Sequence, residues 1–141
     1  MNSWRNGARR QKMNKAVVLD ASAILALIQQ EPGHEKLNPE LLARSVASTV
    51  NLAEVQSKLV SHGWTSEEAW EDATSPVQEI LPFHQDQARI AGDLTARTRP
   101  LGLSLGDRAC LALGLTLKAP VYTSEKAWKN LQLDIPIHII R

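Results

Sequence analysis

Two kinds of apolar pattern alternate along this chain, and the alternation predicts its architecture. Ala16-Val17-Val18-Leu19 is continuously apolar and stops abruptly at Asp20, as a strand covered on both faces must be. A helical stretch follows from Ala21 to Gln30, Glu31-Pro32-Gly33 ends it, and Pro39 opens a short helix through Leu42 and Ala43. A second strand around Val46-Ala47-Ser48 leads into a helix from Asn51 to His62 that Gly63 closes. Ser66 to about Thr74 reads as a helix broken by Pro76, and Gln78 to Leu81 as a strand halted by Pro82. Helices are expected over Gln85 to Thr98, where Ala88, Ile90, Ala91 and Leu94 lie on nearby faces, and over the strongly apolar Ser104 to Leu117. Pro120-Val121-Tyr122-Thr123 reads as the fourth strand, a short helix carries Trp128 and Leu131, and Ile135 to Ile140 supplies the last strand. Strands alternating with helices indicate βαβ units, so the predicted class is α/β with a mainly parallel sheet of about five strands. Right-handed crossovers gather the carboxyl edge of such a sheet into one crevice, where open α/β sheets bind ligands.

Composition narrows the class without naming a function. With 141 residues, 43% hydrophobic and 22% charged, the chain has the balance of one ordinary globular domain rather than a disordered or membrane-spanning segment. No stretch approaches the roughly 20 apolar residues that cross a bilayer, and the N-terminus lacks the apolar core of a secretory signal. The single cysteine, Cys110, sits in the apolar run Ala109-Cys110-Leu111-Ala112-Leu113 and has no internal partner, which fits a reducing environment. A soluble, cytoplasmic protein is therefore expected, with no membrane partner. Net charge is +1, yet Arg5, Arg9, Arg10 and Lys12 all lie in an opening segment without a single acid. The remaining 12 bases face 15 acids, a balance of −3, so overall charge gives no support to nucleic-acid binding. Residues 1–12 read as a basic, disordered tail or an alternative start with Met13 as the natural one, and 13–141 as the domain.

Candidate chemistry then rests on acids. Asp20 ends the first strand, where its carboxylate projects into the crevice or caps the helix at Ala21. Glu54 stands one turn into the helix after the second strand, with capping-box spacing from Asn51, and Asp107 has the same spacing from Ser104. Gly106 weakens a first helical turn without benefit to folding, which indicates that backbone approaches something closely there. Glu125 follows the fourth strand, where it could complement a helix dipole. Each acid alone has a structural explanation, but capping does not require all four to map to one end of one sheet. Clustered carboxylates raise one another's pKa unless a cation is present, and hard divalent ions such as Mg²⁺ or Mn²⁺ prefer all-oxygen sets. His34, His62, His84 and His138 are scattered, and with one cysteine they complete no zinc site.

The segments Val18-Leu19-Asp20-Ala21-Ser22-Ala23, Asn51-Leu52-Ala53-Glu54-Val55, Leu103-Ser104-Leu105-Gly106-Asp107-Arg108-Ala109 and Tyr122-Thr123-Ser124-Glu125-Lys126-Ala127-Trp128 resemble the successive motifs of VapC-type PIN domains, the toxin half of bacterial VapBC toxin–antitoxin pairs. Each motif is weak alone; four in order, from Met13 to Arg141, make the resemblance specific. It implies a PIN-like three-layer α/β/α sandwich. It also implies that Asp20, Glu54 and Asp107 are the principal metal-binding acids, with Ser22 the hydroxyl beside the first and Asn51 the polar residue before the second. Glu125 stands where the family usually has Asp, a departure that bears on a second metal site. Thr123 joins Ser22 and Asn51 as a supporting residue.

The implied activity is metal-dependent endoribonucleolytic cleavage with Mg²⁺ or Mn²⁺, in which an activated water leaves 5′-phosphate and 3′-hydroxyl ends. Arg99, Arg108 and Lys126 flank the acidic motifs and are candidates for gripping RNA, or solvated surface charges. The resemblance further implies an antitoxin partner docked in a hydrophobic groove, with Trp64 and Trp70 as candidate anchors on consecutive helices, and a homodimer. Two other classes compete. A noncatalytic PIN-like RNA- or protein-binding module would bind little metal. A receiver-type or phosphoryl-transfer domain is opposed by the lack of an acid adjacent to Asp20 and of a lysine at the end of the last strand.

Overall fold

The computed structural model describes residues 15–141; the tail expected over 1–12 and the start at Met13 lie outside the described residues. Five short strands, β1 (Val17–Leu19), β2 (Ser45–Ser48), β3 (Glu79–Leu81), β4 (Val121–Thr123) and β5 (Ile137–Ile139), form one sheet in the order β3-β2-β1-β4-β5. Every pairing is parallel, with Val18 opposite both Val46 and Val121. Around the sheet run α1 (Ala21–Gln29), α2 (Pro39–Leu42), α3 (Thr49–Ser61), α4 (Ser66–Thr74), α5 (Gln85–Asp93), α6 (Thr95–Thr98) and α7 (Leu105–Leu117). Single 3₁₀ turns sit at His34–Lys36, Arg99–Leu101 and Lys126–Asn130.

The unbroken apolar run of β1 has a simple cause. Successive side chains point to opposite faces, so Val17 and Leu19 enter one core with Ile24, Leu52, Val55 and Leu59. Ala16 and Val18 enter the other with Cys110, Leu111, Leu113 and Trp128. Helices α1, α3 and α4 thus cover one face, and α7 the other, as a three-layer α/β/α sandwich. Each large side chain so buried contributes about 1.5–3 kcal/mol. Among the described residues no helix is long and apolar enough to cross a membrane.

The local signals mostly act where the sequence places them. Asn38 caps α2 ahead of Pro39 by accepting from the Leu41 N–H at 2.9 Å, and Gly63 takes φ 99° just beyond α3. Three boundaries differ from expectation. Helix α3 begins at Thr49 with Ser48 as its cap, accepting from the Val50 N–H, so Asn51 is already inside the helix and is released from capping. The helix expected over 85–98 divides at Leu94, whose ψ relaxes to −8° and whose N–H bonds back to Ile90. The fifth strand is confined to Ile137–Ile139, while Ile135 and Ile140 are buried outside it.

Topology fixes where ligands are received. From β1 the chain steps outward through β2 to β3, then returns across the sheet to place β4 on the other side of β1. The connections diverge between β1 and β4, and beyond the carboxyl ends of such a strand pair lies the binding crevice of an open α/β sheet.

Candidate active site

Asp20 leaves β1 at that crevice and is 2% exposed. It serves as the cap of α1, its Oδ1 accepting from the Ala23 N–H at 2.8 Å. Capping occupies only part of the carboxylate. Thr123, at the end of neighbouring β4, donates its hydroxyl to Oδ2 at 2.6 Å, and the Ser22 hydroxyl lies 2.8 and 2.9 Å from the two oxygens. Those hydroxyls are aimed in turn: Ser22 Oγ accepts from the Ser124 N–H and Thr123 Oγ1 from the Glu125 N–H. The two strand ends are thereby locked around one acid. Even so, burial pushes the Asp20 carboxyl from its ordinary 3.8 up to about 7; the hydrogen bonds from Thr123, Ala23 and Ser22 oppose the rise, and the charge of Asp107 adds to it.

Glu54 and Asp107 come together through glycine. A Cβ on Gly106 would overlap both carboxylate oxygens of Glu54, so the α7 N-terminus approaches α3 as closely as it does because residue 106 has no side chain. Asn51, 1% exposed, bridges the same junction by donating Nδ2 to Glu54 Oε1 at 2.9 Å and to the Gly106 carbonyl at 3.0 Å, while its Oδ1 has no partner among the described residues. Asp107 closes a capping box with Ser104: Asp107 Oδ2 accepts from the Ser104 N–H at 2.8 Å, and the Asp107 N–H donates to Ser104 Oγ at 3.2 Å. One turn further along α7, the Cys110 thiol is pushed well above its ordinary range, first by burial and then by the charges of Asp20, Asp107 and Glu54. All three acids therefore act on one buried point.

A pocket of about 450 Å³ opens at this end of the sheet. Glu54, Asp107 and Glu125 line it together with Ser22, while Asp20 lies behind its wall. Glu125 is exposed and makes no side-chain cap to the 3₁₀ turn it precedes. The ion pairs seen among the described residues, His34–Glu35 and Arg141–Glu31, involve none of these acids. An all-oxygen donor set containing a buried carboxylate without a basic partner suits a hard divalent cation. As they stand, Glu54 and Asp107 are each held by local hydrogen bonds, and among the described residues no three His, Cys, Asp or Glu side chains form a ready ligand group.

The other candidates are placed less centrally. Arg99, Arg108 and Lys126 do not line the pocket. The Arg108 guanidinium instead donates to the Ala91 carbonyl at 2.9 Å and to Thr95 Oγ1 at 3.0 Å, tying α7 to the α5–α6 corner. Trp64 falls in the turn between α3 and α4 rather than on a helix, half-buried against the core, and Trp70 on α4 is 43% exposed. Ser57, Lys58 and Ser61 also line the pocket, and sequence reasoning passed over them. Their signal was the i+3, i+4 and i+7 spacing from Glu54, which places residues on one helix face.

Comparison with known proteins agrees with this fold. A family model described as PIN domain matches residues 17–132. Comparison with curated sequences found no match. Among solved structures the chain is similar to VapBC2 from Rickettsia felis bound to a DNA fragment from the promoter of its genes, at 21% identity and TM-score 0.67, covering 86% of this chain and 96% of that one. It is similar to DNA-bound VapBC from Salmonella typhimurium at 17% identity and TM-score 0.69, covering 90% and 99%. FitAcB from Neisseria gonorrhoeae matches at 16% identity and TM-score 0.67, covering 88% and 97%.

Proposed function

The chain belongs to the PIN-domain family, and from that premise we propose that it is a metal-dependent endoribonuclease acting as the toxin of a toxin–antitoxin pair. One observation carries the reading: acids from three separate segments, Glu54, Asp107 and Glu125, line one pocket at the sheet's switch point, and behind its wall the buried Asp20 has no basic partner among the described residues.

Asp20, Glu54 and Asp107, completed by Glu125, would hold Mg²⁺ or Mn²⁺. When bound, such an ion activates water for attack on a phosphodiester and neutralises the charge that develops there. The protein's own residues do the positioning. Ser22 and Thr123 hold the Asp20 carboxylate at a fixed angle between two strands, and Asn51 holds Glu54 against Gly106. Ser104 fixes one oxygen of Asp107 and leaves the other free for a ligand. Oriented outer partners of this kind are worth 10–100-fold in metal affinity or activity. An antitoxin, as in the VapBC complexes that the fold resembles, would mask the pocket, with exposed Trp70 as an anchor for the contact. A homodimer belongs to the same proposal.

The test is cleavage of a single-stranded oligoribonucleotide with Mg²⁺ or Mn²⁺, with EDTA as control. The expected products carry 5′-phosphate and 3′-hydroxyl ends, and Asp107→Asn abolishes cutting while the protein stays folded. Cyclic 2′,3′-phosphate products, or undiminished cutting by the variant, refute the assignment. The absence of a ready ligand group among the described residues favours a second reading, a noncatalytic PIN-like RNA- or protein-binding module. Calorimetric titration with Mn²⁺ separates the two, since the module binds none at the acids.

A further inference from the structure

The pocket continues beyond its acids, along α3. Glu54, Ser57, Lys58 and Ser61 form one stripe of that helix and all line the cavity. The facing wall, from α1, contributes Ala21, Ser22 and Leu25. Of the lining residues among those described, Lys58 is the one base, set a helical turn beyond the acidic end.

A lysine four residues after a glutamate ordinarily forms an i,i+4 ion pair along the helix. That pair is not made here. Glu54 is turned onto Gly106 with Oε1 held by Asn51, and Lys58 is absent from the ion pairs among the described residues. Its exposed amine is therefore available at the pocket wall. The two serines differ in what they can offer. The Ser61 hydroxyl donates to the Lys58 carbonyl at 2.7 Å, whereas no hydrogen bond engages the Ser57 hydroxyl among the described residues. A charged amine beside a free hydroxyl donor is the chemistry that receives a phosphate.

We propose that Lys58 and Ser57 seat a phosphodiester of the RNA strand next to the one cut at the acids, so that the strand runs along the groove between α1 and α3. This deepens the ribonuclease reading and rests on it. The other charged residues lining the pocket, Glu54, Asp107 and Glu125, repel a polyanion, and among the described residues Lys58 supplies the positive charge on its wall that holds the strand in register with the acids.

The test measures binding of a fluorescent single-stranded oligoribonucleotide by the full chain, by anisotropy over a potassium chloride series, in EDTA and again in Ca²⁺. Lys58→Ala is expected to bind about tenfold more weakly at low salt, with a log Kd against log salt slope shallower by about 0.7, the loss of one single-strand phosphate contact. Lys58→Arg restores affinity and slope. Lys36→Ala, an exposed lysine on the 3₁₀ turn after α1, leaves both unchanged. In cleavage assays Lys58→Ala raises KM with little effect on kcat, as removal of uniform binding does. If the parent cuts RNA and Lys58→Ala matches it in affinity and slope, or Lys36→Ala weakens binding equally, the phosphate seat is overturned while the nuclease stands. If the parent neither binds nor cuts RNA, the ribonuclease reading falls and the seat falls with it.

Discussion

Replacing Asp20 with asparagine gives a stability change whose sign depends on pH. The Asp20 carboxyl titrates near 7 in the fold against 3.8 unperturbed, with burial as the leading cause. The folded state therefore holds this proton more tightly than the unfolded chain does. As pH rises from 3.8 toward 7 the unfolded chain releases its proton while the folded one keeps it, so stability falls across that window and levels off above it. A difference of that size corresponds to about 4 kcal/mol once both states are ionised. The substituted amide does not titrate, and it can still accept from the Ala23 N–H and donate to the Ser22 and Thr123 oxygens. Asp20→Asn is accordingly expected to unfold close to the parent at about pH 4 and to be more stable by up to about 4 kcal/mol at about pH 8, on the order of 10 °C in Tm for a domain of this size. Scanning calorimetry of both proteins in EDTA across that range measures it. A difference that is constant with pH, or that shrinks as pH rises, would show that burial does not strain this carboxylate. Added Mn²⁺ should raise the Tm of the parent at the alkaline end of the range and not that of the variant, which links the strain to the cation proposed to relieve it.

Two further substitutions separate fold from site. Gly106→Ala forces its new methyl against the Glu54 carboxylate, the mobile end of a flexible side chain. Glu54 is expected to move aside with stability changed by no more than about 1 kcal/mol, while RNA cleavage drops at least about tenfold, what one outer positioning contact is worth; full activity would show that the close approach has no role. Asn51→Leu removes the bridge between Glu54 and Gly106 together with a buried acceptor that has no partner. Its stability should stay near the parent's, because losing an unsatisfied buried group offsets the lost bonds, whereas Mn²⁺ affinity by calorimetry falls about 10–100-fold. Unchanged Mn²⁺ affinity would remove Asn51 from the site.

What was legible in the sequence is what local physics encodes. The run at 16–19 announced a strand buried on both faces, and the two cores fill from its alternate residues. The oddity of Gly106 in a helix's first turn signalled a close approach, and the approaching group is Glu54. The expected capping box between Asn51 and Glu54 failed because Ser48 captured the cap three residues earlier. With the cap at Ser48, Asn51 stands inside the helix and makes a buried bond to the Gly106 carbonyl, 55 residues away, which no local spacing encodes. The pocket role of Lys58 was hidden for a similar reason. Spacing from Glu54 predicts an ion pair, and only the packing of α7 on α3 turns Glu54 away from it.

Capping and a role in the site are therefore not alternatives for these acids. Asp20 caps α1 through Oδ1 while Oδ2 takes the Thr123 hydroxyl, and Asp107 caps α7 through Oδ2. In a parallel sheet every crossover helix starts near a strand's carboxyl end, so helix N-termini, with their unpaired N–H groups and partial positive charge, converge where these acids lie. The fold thus supplies the field that makes several carboxylates tolerable in one place. For Asp20 that field is insufficient: three hydrogen bonds, one of them from the start of α1, still leave its carboxyl near 7. A residual of that sign is relieved by positive charge, and along the pocket wall the described residues provide one amine, Lys58, displaced by a turn from the acids. The divalent ion proposed at the acids would supply positive charge there that Lys58, a turn away, does not.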